Sequence, residues 1–313
     1  MGVPINFSNH IHISDKTWSN GALSYLGYAD IDDSMLKELV ANQKLQYIQI
    51  SDYLPPAAYQ IIDRILGMRP DLTFRLFHFL NAKTVDISFL KEMPHVKRLQ
   101  IDCIDFRDNP ERINLDVLTK LNLTALHIDC FDLRDYSFIQ RLVPGLEDLA
   151  IMADTMGPGI TFDCKWLLRF EGLKTLFLGK KAKKNLECIS NLPDLKSLTL
   201  RGIRLSNFAF LNTMNLDRLA LLWNSNSDLH ELAALKQLKE LELWRISKLS
   251  DISFIKELKA LEVIKLQDLK HVQSLPDLAD HASLQQLILI DTGINVKELP
   301  PYLQDKVSNW DYR

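Results

Sequence analysis

Apolar residues recur along this chain as L-x-x-L-x-L, with Ile, Val or an aromatic standing in for Leu. The pattern begins at Leu23, Leu45, Val96, Leu123, Leu146, Leu173, Leu195, Leu216, Leu238, Leu261 and Leu284. A weaker copy fits at Phe74 and a last one at Val307, and successive copies start 21 to 29 residues apart. The last two apolar positions of each copy alternate with polar ones, the period of a strand with one buried face. One such strand cannot bury its face alone, so neighbouring copies must stack into a parallel sheet over a continuous core.

A second pattern lies between the strands. DISFLKEM (86–93), DYSFIQRL (135–142), NFAFLNTM (207–214) and DISFIKEL (251–258) each hold an aromatic, then an apolar residue, and lead into a helical turn. Together the two patterns resemble the leucine-rich-repeat family, in its short 22-residue class of internalin-like and SDS22-like proteins. The resemblance implies an α/β solenoid over residues 23–313. A curved parallel sheet would line its concave face, with short helices, 3-10 turns and loops on the convex face. Residues 1–22 would cap the first repeat, and the thirteenth copy, with Trp310 and Tyr312, would cap the other end. Phe89, Phe138, Phe210 and Phe254 would stack as a spine behind the sheet. The chain departs from the family where an Asn follows the strand by three positions: only Asn224 conforms.

Longer copies carry insertions. PPAAYQIIDRILGMRP (55–70) starts with proline and spaces Tyr59, Ile62, Ile65 and Leu66 as a helix does, which predicts an α-helix. Residues 107–121 and 152–166 are further insertions, the latter a projecting loop around Gly-Pro-Gly.

Composition narrows the function classes. The chain is 47% hydrophobic and 25% charged with a net charge of −3, so it is no general trap for nucleic acid. Four cysteines, none in CxxC spacing, make no disulfide framework, and no secretory signal or bilayer-length apolar run is visible. A cytoplasmic protein, monomeric on its own and without cofactor, metal or membrane partner, is expected.

Candidate chemistry sits in the near-duplicates QIDCIDFRD (100–108) and HIDCFDLRD (127–135). His127, Asp129 and Cys130 could form a metal site or a thiol nucleophile with its base. A metal needs three or four converging ligands, and an open sheet face shelters neither a thiolate nor an oxyanion. The duplicates therefore read as adjacent strand-and-turn units, with catalysis kept as the alternative. His10 and His12 in NHIHIS fall on one face of a strand, the polar face of a capping element. Lys180, Lys181, Lys183 and Lys184 form a basic loop that lacks a phosphate loop's glycine spacing.

The strand period sends a different set of residues outward on the sheet. Arg201, Arg218, Leu222, Trp223, Glu242, Trp244, Arg245, Lys265 and Gln267 form a cluster rich in Trp and Arg, the residue types that dominate interface hot spots. Arg98, Gln100, Asp102, His127, Asp129 and Asp148 make a second, acidic-leaning patch suited to a basic partner. Tyr25 and Tyr47 are expected to stack nearby, with Asp30 and Asp52 at matching sites. The expected function is a non-catalytic protein-binding module, acting as an inhibitor or as an immunity protein against a toxin. A metal or thiol enzyme and an internalin-type surface adhesin are the alternatives.

Overall fold

The computed structural model describes residues 9–19, 24–78, 85–103, 113–130, 133–154 and 158–308. The chain divides into two compact units at residues 162 and 163.

The first unit contains β1 (His10–Ser14), β2 (Trp18–Ser19), β3 (Ser24–Gly27), β4 (Tyr47–Ile50), β5 (Thr73–Phe77), β6 (Arg98–Cys103), β7 (Ala125–Cys130) and β8 (Asp148–Ile151). Their order in the sheet is β8-β7-β6-β5-β4-β1-β3-β2, all parallel except β2 against β3. Ile48, Ile50, Phe74, Leu76, Leu99, Ile101, Leu126, Ile128, Leu149 and Ile151 are the inward residues, and all are fully buried. They are the fourth and sixth positions of the apolar pattern, as the alternation requires.

Two details differ from the sequence reading. Phe74 pairs with Ile48 and Leu99, so it stands at the fourth position of its copy rather than the first. A three-residue shift flips strand parity, and only this register puts both Phe74 and Leu76 into the core. Strand β1 also enters the sheet between β3 and β4, pairing His12 with Tyr25 and His10 with Tyr47. Tyr25 and Tyr47 are therefore not neighbours. Tyr25 stacks on Trp18 instead, with centroids 4.3 Å apart.

Two α-helices belong to this unit: α1 (Asp33–Ala41) and α2 (Pro56–Met68). The first lies within the copy that starts at Leu23, between β3 and β4 in the chain. It forms because Asp32 caps it, accepting the Met35 N–H at 2.8 Å, while Leu36 and Leu39 face the core. The second buries Tyr59, Ile62, Ile65 and Leu66, the face that their spacing predicts. It also buries Asp63, which accepts the backbone N–H of His95 at 2.9 Å and contacts its Nδ1 at 2.7 Å. Asp63→Ala leaves the His95 N–H without its acceptor and should lower stability by about 1–3 kcal/mol in chemical denaturation, with Asp63→Asn costing less.

The second unit holds six parallel strands in sequence order: β9 (Thr175–Gly179), β10 (Ser197–Arg201), β11 (Arg218–Leu222), β12 (Glu240–Trp244), β13 (Val263–Gln267) and β14 (Gln286–Ile290). Helix α3 (Pro301–Gln304) follows, and Val307 bridges back to Leu287. Trp310 and Tyr312, expected to cap this end, lie outside the described residues.

Both units use the same turn between strands. An Asp or Asn accepts the backbone N–H two residues on and opens a 3-10 helix. The pairs are Asp86–Ser88, Asn114–Asp116, Asp135–Ser137, Asp163–Lys165, Asn207–Ala209, Asp228–His230, Asp251–Ser253 and Asn295–Lys297, at 2.7–3.3 Å. The tighter 3-10 winding fits the few residues that a 22-residue repeat leaves between strands. The aromatic spine is only partly realised: Phe138 and Phe254 are buried, whereas Phe89 and Phe210 are half-buried. Phe89 stacks on Tyr59 of α2 at 4.2 Å. The place of Phe89 and Phe210 in the core goes instead to the residue two before each, Ile87 and Phe208.

Each strand from β10 to β14 ends in a left-handed residue: Gly202, Trp223, Arg245, Asp268 and Asp291, with φ between 49° and 68°. This turns the N–H of the first four onto the last carbonyl of the next strand at 2.7–2.9 Å, extending the ladder by one bond. The next position holds buried Asn224, Ile246 and Leu269. The Asn224 side chain accepts the Asn226 N–H at 3.1 Å, while its neighbours fill the same place with apolar side chains.

Candidate functional site

In the second unit the outward face rises from a charged middle to an aromatic edge. Arg218 of β11 donates to Thr199 of β10 at 3.0 Å and to Glu242 of β12 at 2.8 Å. Glu242 also holds Lys265 of β13 at 2.9 Å, both side chains being largely shielded from water. Glu242 thus bridges the two cations and links β11, β12 and β13 across the floor of the face.

Above the floor, Leu222 lies between Arg201 and Trp244 in the ladder and is only 8% exposed. The residue after it, Trp223, is 42% exposed. Its ring meets Trp244 edge to face at 5.4 Å. The guanidinium carbons of Arg201 and Arg245 lie 5.3 and 5.6 Å from the Trp223 centroid, within cation–π range. The indole of Trp244 is half-buried and donates to Asp268 at 2.8 Å, and the same carboxylate oxygen receives two N–H bonds from Arg245. The indole N–H and the guanidinium prevail over partial burial and hold the Asp268 carboxyl below the usual carboxylate range.

The outward cluster of Arg201, Arg218, Leu222, Trp223, Glu242, Trp244, Arg245, Lys265 and Gln267 therefore runs across the adjacent strands β10–β13 and the turns that follow them. Leu222 contributes little open surface, and Gln267 lies beside Trp244 in the ladder. Sequence reasoning missed two members. Asp268 fixes Trp244 and Arg245, and Phe177 of β9 lies 5.4 Å beneath Arg201. Both were accessible to the same counting, since Phe177 is an outward strand position and Asp268 follows Arg245 by one repeat.

The first unit's outward residues pair internally. Asp148 receives His127 at 2.9 Å and Arg98 at 3.2 Å. Burial opposes ionisation of Asp148, but these hydrogen bonds and charges outweigh it and lower its pKa. Asp102 is buried and takes both Arg75 and Gln100 as donors. Asp129 alone of the three carboxylates is exposed. The acidic patch is thus largely neutralised from within.

Strand alternation separates the suggested reactive group. His127 and Asp129 face outward, whereas Cys130 is fully buried with its sulfur 3.8 Å from the Ile101 carbonyl. Cys130 and His127 sit on opposite sides of the sheet. Among the described residues no three His, Cys, Asp or Glu side chains gather as a metal site would need. Among them also, no helix is long and apolar enough to cross a membrane. His12 is 7% exposed and accepts from Gln49 at 3.3 Å, and burial with the nearby His10 charge lowers its pKa to about 4.

No family model and no curated protein matches the sequence. Among solved structures the chain is similar to an internalin of Listeria monocytogenes, at 17% identity over 89% of this chain and 82% of that one, with a TM-score of 0.38. It is also similar to internalin C2 of the same organism (17% identity, 76% and 84% covered, TM-score 0.40). A leucine-rich-repeat protein of Leptospira interrogans matches at 16% identity, with 85% and 88% covered and a TM-score of 0.32. The chain's own geometry carries the assignment: a parallel strand, a tight capped turn and the next strand in register, repeated through each unit. The fold is a leucine-rich-repeat solenoid.

Proposed function

We propose that this chain is a non-catalytic protein-binding module whose main contact is the outward face of β10–β13. The observation that carries the reading is the exposed Trp223, flanked by Arg201 and Arg245 and set against Trp244. Indole and guanidinium groups held in place by their neighbours lose little side-chain entropy on docking, which is what makes such residues strong anchors. A face of this kind can bury the ~800 Å² per partner of a standard interface. The finer reading is an inhibitory or immunity role, since a rigid face that covers a partner's surface blocks what that surface does. The patch of Arg98, Gln100, Asp102, His127, Asp129 and Asp148 is a secondary contact, with Asp129 its exposed carboxylate.

Affinity capture from the native host should recover a protein partner at physiological salt, and recovery of none would overturn the reading. With the partner in hand, Trp244→Ala and Arg245→Ala should each weaken the complex by ~2 kcal/mol or more in calorimetric titration. Unchanged affinity in both places the contact elsewhere on the chain.

A further inference from the structure

Trp223 stands in a conformation that suits glycine. Its φ is 54°, and the equivalent residue one repeat earlier is Gly202, with φ 68°. A bulky side chain in the left-handed region is strained, and nothing in the ladder demands an indole there, because Gly202 makes the same bond to the next strand. The repeat sets this backbone conformation, as it does at Arg245 and Asp268, but it leaves the side chain at position 223 free to serve the surface.

A groove of about 380 Å³ opens beside it, lined by Trp223, Arg204, Arg245, Ser225 and Ser247. Arg204 is exposed and, among the described residues, has no carboxylate partner; the same is true of Lys248 one repeat on. Arg245 uses Nε and one Nη on Asp268 and keeps its other Nη available. Lys180, Lys183, Arg201, Arg204, Arg245 and Lys248 follow the strands β9–β12 or end them, and Asp268 pairs with Arg245. Residues 163–313 as a whole hold 22 Lys and Arg against 19 Asp and Glu, although the entire chain is acidic. The groove thus offers two guanidinium groups and two hydroxyls as donors beside one aromatic wall. Carboxylates are the side chains that such a fork of donors recognises in a protein.

We propose that the groove beside Trp223 takes the carboxylate side chains of an acidic, extended segment of the partner protein, with that segment's apolar residues packing on the indole. The proposal rests on the protein-binding reading and names its chemistry. Single-stranded nucleic acid could use the same cations and ring, but one exposed indole offers a single stacking platform where a run of bases needs several.

The test uses the full chain and a short fluorescein-labelled peptide of Glu-Gly-Leu repeats, read by fluorescence anisotropy. Saturable binding is expected, weakening with added salt, and absent for the matched Gln-Gly-Leu peptide. Arg204→Ala combined with Arg245→Ala should weaken it about tenfold or more. Trp223→Gly should do the same while the thermal midpoint holds or rises, which separates lost contact from lost fold. Equal binding of the Gln peptide, unchanged affinity in these variants, or stronger competition from oligouridylate than from unlabelled Glu peptide would overturn the proposal. If a captured partner is lost in Trp244→Ala but retained in Arg204→Ala and Trp223→Gly, the binding reading stands and the groove assignment falls. If no partner is captured yet the Glu peptide binds through the groove, the groove assignment survives the failure of the broader reading.

Discussion

Leu243→Ala should lower the stability of the second unit by about 3 kcal/mol, while Glu240→Ala three residues earlier changes it by less than about 0.5 kcal/mol. Leu243 is fully buried on the inward face of β12, between Leu221 and Leu266. Removing three carbons there forfeits transfer free energy and leaves a cavity that flanking strands, pinned by the ladder, cannot collapse around. Glu240 faces water on the opposite side, and its contact with Arg218 is long at 3.5 Å. The contrast tests strand parity, because a one-residue slip would exchange the two sides of the strand. Urea denaturation followed by far-ultraviolet circular dichroism measures it. Comparable effects for the two substitutions would contradict the register.

The first unit should lose stability as pH falls from about 6.5 to about 4, owing to His12. Its imidazole is buried, faces Gln49 and Tyr25, and lies beside His10, so its folded pKa is about 4 against an ordinary 6.5. A base whose pKa is depressed by folding takes up its proton more readily in the unfolded chain. The stabilisation is thus complete above pH 6.5, declines across the window and is gone below 4. The shift corresponds to about 3 kcal/mol. Asp148, whose pKa is also lowered, adds a loss only at still lower pH, through the ordinary carboxylate range. His12→Gln should flatten the decline between pH 6.5 and 4, and an unchanged slope in that variant would assign it to other groups.

The fold was legible because its information is local. L-x-x-L-x-L sets the parity of every strand within six residues, so Ile128 or Leu266 could be placed inward without knowing what they touch. Phe74 shows the limit, since the stretch around it is apolar in both registers and only pairing with β4 and β6 decides between them. Strand β1 was recognisable as a strand in NHIHIS but not as a sheet interior, because its partners lie 13 and 37 residues away. The Trp and Arg cluster was countable from the repeat. The position of Asp268, one repeat after Arg245, was countable too, but its bond to Trp244 was not, because it depends on the left-handed turn after β13, a backbone choice that no apolar pattern encodes. Leu222 was placed outward correctly, yet it is covered, because outward position and solvent exposure are different properties once large neighbours flank a strand.

The place of β1 has a consequence for how the chain assembles during synthesis. Strand β1 cannot settle at an edge; it needs β3 on one side and β4 on the other, and Ile50 must emerge before both are present. Until then the growing chain carries an apolar segment, Ile11 and Ile13, with no finished berth. Afterwards the segment works as a keystone. A chain lacking it would hold an open slot between β3 and β4, shaped for a detached peptide of the sequence HIHIS.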